Sequence, residues 1–352
     1  MMNVFFSKMQ RLLFLTLLFP VGLFGQSAAK QTLLFNRIDS VLSVETTQPF
    51  NGVVLIASGG RKFYSKVIGF SNRETKTPLT MDDQFVIGSV SKQITAVIAL
   101  REYDRGRLQL HVPIRTYLPD LERTWADTVT VHQLLTHTHG IKKLNEPLAF
   151  VPGTACSYSQ IGFELLARIT EKTSGQSFAE LSATLFRKCK MKGSFHPGLE
   201  LHDRLATSYS MQENGSLAVE TESLENYVAA GAFISTAWDL LLWNEALFGG
   251  KLLSKESFRL MTSPQENAVR EHPMFGMTYY GYGITVDRKE ALLQWGQTGF
   301  APGFVSMNFY FPETKTSVII LENIVYDWND LNKAFESHMN IWRLVRKSLT
   351  EE

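Results

Sequence analysis

The chain has 352 residues, with 35 Lys+Arg against 34 Asp+Glu and a formal net charge of +1. That balance lacks the basic excess of a nucleic-acid binder, and 44% hydrophobic with 20% charged residues excludes a disordered chain. With 24 Gly and 12 Pro the sequence is not of low complexity, and two Cys can build neither a disulfide framework nor a multi-Cys zinc site.

Taken in order, Lys8 and Arg11 precede the apolar run Leu12–Phe24, in which Thr16 is the one polar side chain, and Gly25-Gln26-Ser27-Ala28-Ala29 follows. This is the layout of a secretory signal peptide over residues 1–29, cleaved after Gly25 or after Ala29. The run falls short of the roughly 20 residues a membrane helix needs, and no later stretch reads as a span. The mature protein is therefore expected to be soluble and exported, periplasmic or extracellular. Cys156 and Cys189 fall in it and are expected to be unpaired, buried thiols.

Leu33–Val44 has apolar residues at helical spacing, and 52–57 reads as a buried strand turning at Ser58-Gly59-Gly60 into a partner over 62–68. Helical patterns follow at 93–103, 131–135, 162–172, 178–187 and 237–248. Strand patterns return at 279–286, 291–295, 303–311 and 316–322, and 331–349 reads as a closing helix. Strands at both ends and helices between them predict an α+β fold. In it an antiparallel sheet flanked by helices is built from 30–115 with 275–352, and 116–274 forms an inserted, mostly helical domain. The site is expected in the cleft between them.

Ser89-Val90-Ser91-Lys92 opens the helix at 93–103 after the apolar run Phe85-Val86-Ile87 and Gly88. Residues i and i+3 share a helix face, so Ser89 and Lys92 can meet. A serine hydroxyl needs a base to become a nucleophile, and a lysine serves only once burial or nearby cations lower its pKa. A helix start also offers free N–H groups to an oxyanion.

Five ordered segments resemble the serine β-lactamase and penicillin-binding protein superfamily, in its class C-like branch of β-lactamases, D,D-peptidases and esterases. They are Ile87–Ala96, Leu108–Pro119, Val131–Ile141, Pro152–Gln160 and Trp295–Phe304, and the resemblance as a whole spans about 33–349. The resemblance implies a β-lactamase/transpeptidase-like fold and a set of roles. Ser89 would be the acylated nucleophile, with Lys92 and Tyr158 as proton-transfer groups. The backbone N–H groups of Ser89 and Phe300 would form an oxyanion hole. Gln160, Gln297, Thr298 and Gly299 would face substrate. Neither a cofactor nor a metal is implied: of His132, His137 and His139, His137 falls in the family signature and His132 on a predicted helix, and no Glu-x-x-His or Cys pair accompanies the three.

Two positions depart from the family pattern. Gln160 stands where Asn is usual, and Gln297 stands where Lys or His is usual. Gln297 brings no charge to a substrate carboxylate. The expected substrate is a small ester or peptide-like molecule, a cell-wall fragment among the candidates, with no nucleic-acid partner. Ester or small-amide hydrolysis ranks before D-amino-acid peptidase, and true β-lactamase activity third. The alternative is a catalytically weak or inactive module that binds peptidoglycan or a peptide.

Overall fold

The computed structural model describes residues 21–44, 48–199, 203–289 and 292–351. Most of the expected signal peptide, residues 1–20, lies outside them. Among the described residues no helix is long and apolar enough to cross a membrane.

Eight strands form one antiparallel sheet: β1 (Gly52–Ser58), β2 (Arg61–Ile68), β3 (Val269–His272), β4 (Gly276–Tyr280), β5 (Thr285–Lys289), β6 (Leu292–Ala301), β7 (Phe304–Phe311) and β8 (Thr316–Glu322). Their spatial order is β2-β1-β8-β7-β6-β5-β4-β3. The β1–β8 pair, with Val54 opposite Ile320, joins the two ends of the chain. β8 is buried along its whole length and β1 along all but Ser58. Both strands read as continuous apolar runs because both faces of the sheet are covered.

One face carries α1 (Val21–Ser43) and the C-terminal helix α8 (Glu336–Thr350). Leu34, Ile38 and Leu42 of α1 are spaced by four, so they share a stripe, and they pack with Val54, Ile56, Val318 and Ile320. The closing helix expected over 331–349 breaks at Phe335, leaving Leu331–Ala334 as a separate turn.

Val53, Leu55, Ile319 and Leu321 point to the other face, against the larger core. There lie α2 (Ser91–Asp104), α3 (Val131–Thr136), α4 (Ile161–Ser174), α5 (Phe178–Cys189), α6 (Ala237–Leu247) and α7 (Lys255–Thr262). α2 touches α4, α5, α7 and β6, so it is buried on nearly every side rather than along one stripe. Two pieces of 116–274 belong to the sheet layer: α6 packs on β1 and β8, and β3 pairs with β4 as the edge strand. The single strand expected over 279–286 is two strands, because the chain turns at Gly281–Gly283 and Gly281 N–H bonds back to the Ile284 carbonyl. Cys189 is buried and Cys156 is only half-buried, and both thiols are free.

Candidate active site

A single 3₁₀ turn, Gly88–Val90, delivers the chain into α2. Gly88 has φ +51°, and a Cβ there would fall 2.4 Å from the Phe300 nitrogen. Gly299 is as crowded, its Cβ position lying 2.1 Å from the Ile87 carbonyl oxygen. Glycine at both places lets β6 lie against the turn that carries Ser89. This brings the Phe300 backbone beside the turn that carries the serine. Thr298, half-buried, is the neighbouring residue on the same strand.

Ser89 is 8% exposed and Lys92 not at all. The Lys92 ammonium donates to Ser89 Oγ at 3.1 Å, to Gln160 Oε1 at 2.7 Å and to the Ala230 carbonyl at 2.7 Å. Each of its three protons thus has an acceptor, and Tyr158 is a further hydrogen-bond partner. The Ala230 carbonyl is available because Val228–Ala232 forms one turn of π-helix, which leaves carbonyls free of the usual ladder. Thr95 Oγ1 takes the Ala229 carbonyl at 2.6 Å and fixes that turn to α2. Burial is the largest influence on Lys92 and pushes its pKa down, while Tyr158 and Glu164 oppose it.

Tyr158 sits on the loop before α4. His137 takes a left-handed conformation, φ +61°, as α3 ends. Its carbonyl accepts from Ser157 N–H at 2.8 Å and its Nδ1 from Ser159 N–H at 3.2 Å, and its ring lies 4.5 Å from that of Tyr158. His137 therefore seats the tyrosine. His132 bonds Tyr282 at 2.7 Å, and His139 Nδ1 accepts from Ile141 N–H at 2.9 Å. Burial lowers His132 and His139 to about 4 and His137 as well, so all three rings are neutral near pH 7. Among the described residues no group of three or more His, Cys, Asp or Glu is placed to hold a metal ion.

Burial pushes the Tyr158 phenol up, but Lys92, hydrogen bonds to Lys92 and Ser89, and the Arg270 charge outweigh it, so the net direction is down. Gln297, 2% exposed, donates Nε2 to Tyr158 OH at 3.3 Å and to Tyr280 OH. Its amide NH2 is occupied by two phenols. Gln160 reaches Lys92 across the loop despite the extra methylene.

Sequence reasoning missed two charged side chains here. Arg270, on β3, stacks on the Tyr158 ring with its guanidinium carbon 4.2 Å from the centroid. No local motif marks it. Glu164 accepts from Ala230 N–H at 3.1 Å, behind the carbonyl that holds Lys92. Burial raises its carboxyl to about 7, against the pull of those backbone N–H groups and of Lys92. Its i+4 spacing from Gln160 on α4 was the available signal. Beside the site opens a cavity of about 640 Å³, walled by Leu144, Ile161, Leu165, Phe300, Pro302 and Trp328, with Glu164 on its lining.

A serine bonded to a buried lysine, at the mouth of a helix between an antiparallel sheet and a helical layer, defines a serine hydrolase. The Beta-lactamase family model matches residues 44–337, and the chain belongs to that family. Penicillin-binding protein 4* of Bacillus subtilis (strain 168) is 28% identical over 316 residues, covering 78% of this chain and 68% of that protein. Esterase EstB of Burkholderia gladioli is 28% identical over 182 residues, 41% of this chain and 46% of the esterase. The crystal structure of D-amino acid amidase from Ochrobactrum anthropi SV3 shares the fold, with TM-score 0.76 and 20% identity over 90% of this chain and 99% of that one.

Proposed function

We propose that the protein is an exported hydrolase of small esters or amides that works through an acyl-enzyme on Ser89. The observation that carries this reading is the fully buried Lys92 bonded to Ser89 Oγ. Every proton of Lys92 has an acceptor, and Tyr158 lies within reach as well, which favours keeping the lysine as the ammonium. Tyr158 is then the group that takes the serine proton. Ser89 Oγ bonds to the substrate carbonyl carbon, and the oxyanion rests on the Ser89 and Phe300 N–H groups. Tyr158 passes the proton to the departing alcohol or amine. Water then attacks the acyl-enzyme by the same route in reverse and frees Ser89. Such proton transfer typically contributes about 10²–10⁴-fold and each oxyanion donor roughly 2.7–4 kcal/mol.

The 640 Å³ cavity beside Phe300 supports a bulky apolar acyl group. The occupation of Gln297 by Tyr158 and Tyr280 supports substrates that do not depend on a cation from the third motif. The test is intact-mass spectrometry after treatment with a fluorophosphonate. One adduct is expected on the native protein and none on Ser89→Ala. Absence of an adduct on folded native protein would sink the hydrolase reading and favour the peptidoglycan- or peptide-binding module. The same spectrum of protein recovered from outside the cytoplasm should start at residue 26 or 30, whereas an intact Met1 would refute cleavage of a signal peptide.

A further inference from the structure

Arg270 has no hydrogen-bond acceptor and no carboxylate partner among the described residues, and its Nε is buried without a partner. Arg270 is half-buried, so its charge is only partly screened by water and acts on the groups packed against it. The titratable groups around it can be taken in turn. Lys92, from α2, is itself a cation engaged with Ser89, Gln160 and Ala230. His137, after α3, and His272, on β3, are neutral because burial lowers both. Burial raises the Cys156 thiol and lifts the Tyr280 phenol, from β4, well above its ordinary range, so both keep their protons. Glu164, from α4, faces Lys92 and the Ala230 N–H. Tyr158 remains, with the guanidinium on its face and Gln297 Nε2 donating to its oxygen at 3.3 Å.

We propose that Arg270 is a positioning residue that supplies the second fixed positive charge of the site, holding Tyr158 as the phenolate in place of the cation that Gln297 does not provide. The charge reaches the tyrosine from a neighbouring edge strand rather than from the third motif. The assignment rests on Tyr158 being the proton acceptor, as set out under the proposed function. Its geometry needs no substrate, because the stack exists in the free protein. Arg270 and Lys92 both act on Tyr158 in the same direction.

The experiment titrates Tyr158 directly. Near-ultraviolet phenolate absorbance is followed against pH, and the Tyr158→Phe curve is subtracted to isolate this one phenol. The comparison is among the native protein, Arg270→Met, which stacks without charge, and Arg270→Lys, which keeps the charge. Lys92 acts more strongly on Tyr158 than Arg270 does, so Arg270→Met should raise the Tyr158 ionisation by about 1 pH unit, the low end for an adjacent charge. Arg270→Lys should recover most of that. The acid limb of kcat/KM on a neutral ester should move by the same interval, with the high-pH plateau retained. A Tyr158 titration identical in native protein and Arg270→Met overturns the proposal. So does a higher KM confined to carboxylate-bearing substrates with the titration unmoved, since Arg270 would then contact substrate. Should Ser89 take no fluorophosphonate while the titration still shifts, the hydrolase reading fails and the Arg270–Tyr158 pairing stands.

Discussion

Two buried polar clusters in this protein are built on opposite plans. Asn244 of α6 and Asn308 of β7 exchange amide hydrogen bonds at 2.7 and 3.0 Å, and Asn244 also reaches Ser317 Oγ on β8 at 3.2 Å. That cluster is neutral, and its members bond one another. Around Lys92 and Tyr158 there are two cations, Lys92 itself and Arg270, whose Nε has no acceptor, and a phenol displaced towards ionisation. The first arrangement ties a helix to the sheet. The second retains unspent charge where substrate would arrive. A closed neutral network contributes stability, whereas an open charged one costs stability and supports chemistry.

Substitutions should separate the two plans. Ser89→Ala is expected to lower kcat/KM on an ester by roughly 10⁴-fold or more, with the thermal midpoint unchanged. Retained turnover would remove Ser89 from the chemistry. Lys92→Met should cost about 10²–10⁴-fold in kcat, yet the unfolding free energy should not fall, because a desolvated charge is removed. A clear loss of stability there would mean that the lysine belongs to the first plan. Asn308→Ala should do the reverse, costing about 1–3 kcal/mol in denaturant unfolding while kcat stays within a factor of two or so. Loss of activity at native stability would break the contrast.

The smallest effect is that of pH. Burial holds His338 at about 3 and His132, His139 and His272 at about 4. The unfolded chain takes up those protons near pH 6.5, so the stability tied to these rings is complete above that value and is lost as pH falls towards 4. Glu322 and Glu164 act oppositely. Burial raises them to about 8 and about 7, so the folded chain keeps protons that the unfolded chain releases above about 4.5, and stability declines from there upward. The thermal midpoint should peak around pH 6. A midpoint flat from about pH 4.5 to 6.5 would refute the histidine contribution.

Much of the site could be read before any coordinates. The i,i+3 spacing of Ser89 and Lys92 is a helical periodicity, and the lysine does meet the serine at 3.1 Å. Gln160, the residue before α4, reaches Lys92 at 2.7 Å, and Phe300 follows Gly299, which lies against the turn carrying Ser89. The errors were local. Tyr279–Val286 alternates as a strand does, but two glycines turn the chain in its middle. Leu331–Leu349 has helical periodicity, but the helix is interrupted at Phe335.

The sequence by itself determined what depends on near neighbours in the chain: the strand–turn–helix that presents Ser89, the amphipathic stripe of α1, the apolar runs of β1 and β8, and the family. Tertiary structure alone decided which charges share the site. Arg270 reaches Tyr158 because β3 adds to the sheet edge, and Ala230 reaches Lys92 because a π-turn packs on α2. A side chain's charge is written in the sequence. The interaction it makes depends on distance and desolvation, and both are set by elements far apart in the chain.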